Sequence, residues 1–237
     1  MYKSERTAHK KNRKEFIQKG IQLALAAGFT SVTVFGCSEG KERKKQVSPP
    51  EDLMQEHGLL NRILLIYDRC KFNLAGKRSF DPAILLNSAT IIRTFVEDYH
   101  EKQEENYLFP RFQKANQLTD LVQILKQQHE AGRRITDQLL GLSKTKSLTD
   151  GESQKQIELL TNFNAMYRPH EAREDTVLFP EFRKLVSQNE YDSLGEEFEK
   201  NEHKRFGEDG FEVMVNKVAD IEKQLGIYEL AQFTPSV

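Results

Sequence analysis

One block in this sequence is written twice, and it carries residues that can hold metal ions. The first copy is His100-Glu101-Lys102-Gln103-Glu104-Glu105-Asn106-Tyr107-Leu108-Phe109-Pro110-Arg111-Phe112. The second is His170-Glu171-Ala172-Arg173-Glu174-Asp175-Thr176-Val177-Leu178-Phe179-Pro180-Glu181-Phe182. Both read H-E-x-x-E-[ED]-x-x-L-F-P-x-F, with seven of thirteen positions identical. In each copy a histidine is followed four residues later by a glutamate. That spacing is about one helical turn, so His100 and Glu104 leave one face together, as do His170 and Glu174. Repeated imidazole and carboxylate pairs on facing helices are how bundles build dinuclear metal sites.

Helices must carry those pairs, and the composition favours them. There is no tryptophan, and only 13 glycines and 7 prolines occur in 237 residues. Long stretches rich in Leu, Glu, Lys and Gln favour an all-α class. Ser48-Pro49-Pro50-Glu51-Asp52 reads as a helix start, with a hydroxyl cap, first-turn prolines and acids at the positive end. Leu53, His57, Leu60 and Leu64 follow as one stripe, and this helix is expected to reach about Lys71. Asp81-Pro82 opens a second helix, whose inner face carries Leu85, Ala89, Ile92, Val96, His100, Gln103, Glu104 and Tyr107. Phe109-Pro110 is expected to break or kink it. A third helix begins near Thr119-Asp120 and turns Leu121, Leu125, His129 and Thr136 inward, with Gly132 permitting close approach of a neighbour. A fourth begins near Glu152 and carries Leu159, Phe163, Met166, His170 and Glu174 on one face. Pro169 is expected to bend it, at about 3 kcal/mol, which is easier to explain beside a ligand than in a plain core. The expected architecture is an up-down four-helix bundle over residues 49–188 with a C-terminal helical extension over residues 189–237.

Other classes fit less well. Charged residues make up 30% of the chain, yet the formal net charge is −1. That balance describes solvated helix faces and not a nucleic-acid binder. Two cysteines, Cys37 and Cys70, make no disulfide framework. Residues 1–19 are strongly basic, residues 20–36 are small and apolar, and the run ends Val34-Phe35-Gly36-Cys37-Ser38. A basic region, an apolar region and a small residue before the cut describe an export signal over residues 1–37. Its end resembles a bacterial lipobox, in which Cys37 becomes the lipidated first residue of the mature chain. Asn12-Arg13-Lys14-Glu15-Phe16-Ile17 resembles the twin-arginine motif, with Lys14 in place of the second arginine. That departure leaves the twin-arginine and general secretory routes both open. A short uncleaved anchor is the alternative. More than one acyl chain gives stable anchoring, and residues 38–48 read as a polar tether. The expected location is the extracytoplasmic face of a membrane.

Four histidines, one on the inner stripe of each successive helix, join two glutamates. Buried without partners, they would cost several kcal/mol per charged group. A pair of cations satisfies them; an internally hydrogen-bonded polar core is the alternative. Over about residues 50–187 the paired blocks resemble the hemerythrin-like, or HHE cation-binding, domains. By position, the resemblance implies His57, His100, Glu104, His129, His170 and Glu174 as ligands of two non-haem irons, oxo- or hydroxo-bridged, with the glutamates bridging or capping both ions. Manganese or zinc would suit the same mixed donors. Respiratory hemerythrins have a second histidine four residues along the third helix, where this chain has Arg133. His203 either supplies the missing ligand from the extension or is an exposed helix histidine. Tyr107 is expected to hydrogen-bond a bound oxygen species. Glu101, Glu105, Glu171 and Asp175 are expected to face solvent or to back the ligands, and Tyr67, Tyr99 and Tyr167 to pack.

The implied function is a binding or sensing module for O2, NO or peroxide, or a holder of iron, in preference to an enzyme, which the residues leave open. A di-iron oxidase or ferroxidase is the alternative. Ferritin-like bundles use two E-x-x-H motifs, and here only Glu97-Asp98-Tyr99-His100 matches, because Tyr167 stands where the second glutamate would. An iron donor for iron–sulfur repair is a further alternative, for which an exported lipoprotein is poorly placed. The sequence indicates no protein partner.

Overall fold

The computed structural model describes residues 47–145 and 148–235. The export signal, Cys37 and most of the tether lie outside the described residues. Every regular element among the described residues is helical. Helix α1 is Pro49–Ala75, and the Ser48 hydroxyl accepts from the Glu51 N–H at its start. Helix α2 is a continuous succession, Ala83–Ile91, Ile92–His100, Glu101–Gln103, Glu104–Leu108 and Phe109–Ala115. Helix α3 is Thr119–Ser143. Helix α4 joins Asp150–Arg173, Glu174–Leu178 and Phe179–Leu185, and Thr149 with Glu152 forms a capping box before it. Helices α5, Gln188–Phe206, and α6, Gly210–Gln224, form the extension.

Helix α1 packs along α4, and α3 packs against both α2 and α4. Helices α5 and α6 lie against α1, and α6 also touches α2. The bundle core has two apolar parts. One contains Leu60, Ile63, Leu64, Phe95, Val96, Leu139, Leu159 and Phe163. The other contains Leu53, Leu108, Phe109, Phe112, Leu178, Phe179, Phe182 and Phe198. The L-F-P-x-F half of each repeated block therefore builds a plug at one end of the bundle. Burying each such side chain contributes about 1.5–3 kcal/mol.

The prolines in those blocks do not break the helices, contrary to expectation at Phe109-Pro110. Residues 104–108 and 174–178 are π-helical turns. The Phe109 N–H reaches the Glu104 carbonyl, and the Phe179 N–H reaches the Glu174 carbonyl. A proline lacks the N–H donor and its ring clashes with the carbonyl four residues back. Widening the turn just ahead of Pro110 and Pro180 removes that clash, and helix continues on the far side. The first half carries a further π-helical segment, Ile92–His100, that the second lacks, and α4 runs unbroken through Pro169 from Asp150 to Arg173.

Gly132 does what its position suggested. A Cβ there would lie 2.1 Å from the Tyr167 hydroxyl oxygen of α4. The Gly132→Ala variant should lose about 1–3 kcal/mol through overpacking, measured by urea unfolding. Adding Tyr167→Phe, which removes the clashing oxygen, should recover part of the loss.

Candidate metal centre

Six side chains from the four bundle helices meet midway between the two apolar regions. His57 comes from α1, His100 and Glu104 from α2, His129 from α3, and His170 and Glu174 from α4. All six are buried. They fall into two groups, His57 with His100 and Glu104, and His129 with His170 and Glu174, each with donor atoms within 4.8 Å of one another. The groups also interlock. Glu174 Oε2 lies 3.1 Å from His170 Nε2 and 3.4 Å from His57 Nε2. Glu104 Oε2 lies 3.5 Å from His129 Nε2 and 3.8 Å from His100 Nε2.

Behind each imidazole stands an oxygen that takes the Nδ1 proton. Asp175 Oδ1 is 2.7 Å from His57 Nδ1, and Glu56 Oε2 is 2.7 Å from His100 Nδ1. Glu105 Oε1 is 3.1 Å from His129 Nδ1, and Gln128 Oε1 is 2.9 Å from His170 Nδ1. Carboxylate and amide oxygens accept, so Nδ1 carries the proton and every Nε2 turns its lone pair to the centre. His129 Nε2 and His170 Nε2 stand 3.2 Å apart with both lone pairs inward. Neither oxygen of Glu104 or of Glu174 has a hydrogen-bond partner. Eight electron-rich atoms thus face one another in a buried core, a donor set that suits metal cations.

Comparison with known proteins agrees. The chain matches the Hemerythrin HHE cation binding domain over residues 48–182 and, in a second register, over residues 120–234. The chain belongs to the hemerythrin HHE cation-binding family. That family binds metal cations, typically iron. Uncharacterized proteins of Mycobacterium bovis and Mycobacterium tuberculosis are 46% identical over 196 residues, covering 82% of this chain and 77% of each relative. No solved structure matches at the same level of significance.

Several hemerythrin-like features differ from expectation. His203 is exposed on α5, and its neighbour Glu202 points inward instead. Tyr107 is not at the centre. Its hydroxyl accepts from Asn201 Nδ2 at 3.3 Å, and its ring packs on Phe198. The wider turn over residues 104–108 changes the register that put it on the ligand face. Arg133 takes no ligand's role: its Nη2 donates to Glu101 Oε2 at 2.6 Å and Glu105 Oε1 at 2.7 Å. Tyr167, expected only to pack, also donates to Glu101 Oε1 at 2.7 Å, beside the His170 ring. Glu97, the carboxylate of the lone E-x-x-H match, accepts from Thr136 Oγ1 and pairs with Arg93 Nη1, outside the two donor groups. Sequence reasoning missed Glu56 and Gln128. Each directly precedes a ligand histidine, a repeated placement that is the one sequence signal for them.

With protons alone to balance the donors, ionisation is uneven. Burial opposes charge on His57, but Asp175 and Glu174 outweigh it and push that imidazole up to about 10. Burial, then the charge on His57, holds His100 well below its ordinary value. Burial and the neighbouring Glu174 push Glu104 well above the usual carboxylate range. Glu174 is also buried, but His170 and His57 pull it well below that range.

The Glu104 shift fixes the sign of a pH effect. A folded pKa above the unfolded value of 4.5 gives stability that is complete below 4.5 and drains as pH rises towards the folded value. Among chelator-stripped proteins, Glu104→Gln should therefore gain on wild type as pH rises from about 4.5 to about 8, read from urea midpoints. A gap that does not change with pH contradicts this account.

Proposed function

We propose that the protein binds two non-haem irons and uses them to bind or sense O2, NO or peroxide, or to hold iron. The observation that carries this reading is the pair of buried carboxylates, with no hydrogen-bond donor among the described residues beyond the imidazoles they face, set against four inward Nε2 atoms. On this reading His57 and His100 hold one ion and His129 and His170 the other. Glu104 and Glu174, each near imidazoles of both groups, would supply carboxylate oxygens to both. Two histidines with a carboxylate form a donor set that suits non-haem iron and leaves positions for an exogenous ligand. Bound iron would supply reversible ligation or one-electron chemistry. The chain's part is to keep the site dry, fix the imidazole tautomers and supply the bridging charge.

Placement of Glu97 against Thr136 and Arg93 favours this reading over a ferritin-like oxidase, which needs more carboxylates at the ions. A location at the extracytoplasmic membrane face is part of the proposal and is supported by the basic and apolar pattern of residues 1–37 with Cys37. No described helix is long and apolar enough to cross a membrane.

Purified protein expressed with iron should contain about two irons per chain, as the two donor groups require, and should change its near-ultraviolet and visible absorption when air is admitted. Glu104→Ala and Glu174→Ala should each lose most of the iron, and His203→Ala should keep it. Unchanged iron in both glutamate variants would sink the ligand assignment. Cys37→Ser should release the protein from the membrane fraction; an equal membrane share in both proteins contradicts lipid attachment.

A further inference from the structure

The two halves of the bundle superpose by role, residue for residue. His57, His100 and Glu104 of α1 and α2 correspond to His129, His170 and Glu174 of α3 and α4. The residue after each glutamate backs the histidine of the other half: Glu105 serves His129, and Asp175 serves His57. The residue before each first histidine backs its own half: Glu56 serves His100, and Gln128 serves His170. One turn beyond each first histidine comes Asn61 or Arg133, and each donates to the glutamate after a block histidine, Glu171 or Glu101 respectively. Phe179 stacks on His57 and Phe109 on His129, both at 5.6 Å. The donors nearest the ions therefore match between halves, and differences appear only in the groups behind them.

Two of those differences touch the groups behind the imidazoles and run one way; a third, Glu97 in place of Tyr167, adds a carboxylate near Arg133 that Arg93 and Thr136 already partner. Glu56 in the first half is Gln128 in the second, which removes a negative charge. Asn61 in the first half is Arg133 in the second, which adds a positive one. Arg133 lies on the very carboxylate that backs His129, and Lys102 Nζ pairs with the other oxygen of Glu105 at 2.5 Å. Behind His100, by contrast, Glu56 stands with two more buried carboxylates, Asp52 and Glu202, the three offering oxygens within 4.8 Å of one another. An imidazole whose N–H is held by a carboxylate is a more basic ligand than one held by an amide, and charge within a few ångströms acts strongly in a low-dielectric interior.

We infer that the two cation positions are unequal: the His57 and His100 position is the tight one that fills first, and the His129 and His170 position is the weak one that exchanges. The inference rests on the cation-pair reading above and adds to it an order of loading set by Glu56, Gln128, Asn61 and Arg133.

Zinc(II), which does not change oxidation state, is the probe. Chelator-stripped full-length protein is titrated by calorimetry. Wild type should bind two ions in two steps separated by about 10–100-fold in affinity, the usual effect of groups behind a metal ligand. Gln128→Glu should strengthen the weaker step and leave the tighter one. Glu56→Gln should weaken the tighter step. Gln128→Glu with Arg133→Asn should bring the two steps within about threefold. Two ions binding in wild type with equal affinity, or steps that these variants do not move, overturn the inequality while leaving the cation pair standing. Failure of wild type to bind two ions overturns the cation-pair reading, and the inequality falls with it. Circular dichroism of each variant confirms that the helices persist, and Gln128→Glu, at a half-buried position, tests the inference even where the double variant does not fold.

Discussion

The structure is built around a crowding of donors that protons balance unevenly and that metal cations would balance fully. Four Nε2 atoms and the oxygens of two carboxylates converge at a buried point between the four helices. Hydrophobic burial alone would open such a cluster, because unpaired charge in a low-dielectric core costs several kcal/mol per group. The apolar regions on either side instead hold the helices at the separation at which the donors face each other. Phe109 and Phe179 do both jobs: they belong to the plug beside the centre and stack on His129 and His57. Packing and ligation are thus one arrangement, and the repeated block encodes both in thirteen residues.

The π turn joins the two halves of that block. A regular turn followed by proline would lose a hydrogen bond and clash with the carbonyl four residues back. The wide turn beginning at Glu104 and Glu174 lets the plug residues continue on the same helix that bears the ligands. Such turns are uncommon and cluster at functional sites; here two begin at Glu104 and Glu174, and a third, Ile92–His100, ends at a donor histidine. The second family match, starting at residue 120, takes α3 where the first takes α1. That shift by half a bundle is what two equivalent helix pairs would produce.

The six inward donors were legible in the sequence because imidazoles and carboxylates recur at helical spacing on otherwise apolar stripes. Helix number and order followed from caps, prolines and loops for the same reason. Of the four supporting residues, Glu105 and Asp175 were legible as neighbours of the block glutamates, and Glu56 and Gln128 were not. Glu56 and Gln128 sit one residue before their histidines, about a quarter turn off the ligand face, and serve a histidine on a different helix. Only the pairing of α1 with α2, and of α3 with α4, reveals them. Tyr107 failed because a helical wheel assumes an unbroken α register, and the π turn supplies a different one. His203 was left open between ligand and exposed helix histidine because Glu199-Lys200-Asn201-Glu202-His203-Lys204 is polar throughout, so hydropathy does not say which residue turns inward.

The residue that does turn inward gives the extension an electrostatic part. Glu202 is buried against Asp52 and Glu56, and its Oε1 accepts the Phe211 N–H at 2.9 Å at the start of α6. A helix start carries unsatisfied N–H groups and partial positive charge, so it favours a carboxylate there. Close approach is needed: a Cβ on Gly210 would lie 2.6 Å from the Phe206 Cβ, so the turn between α5 and α6 tolerates little more than glycine. Through Glu56 this contact continues to His100, and through His100 to the centre. The extension therefore does more than cover apolar surface on α1. It adds a buried carboxylate behind one cation position, on the side where Glu56 stands in place of Gln128.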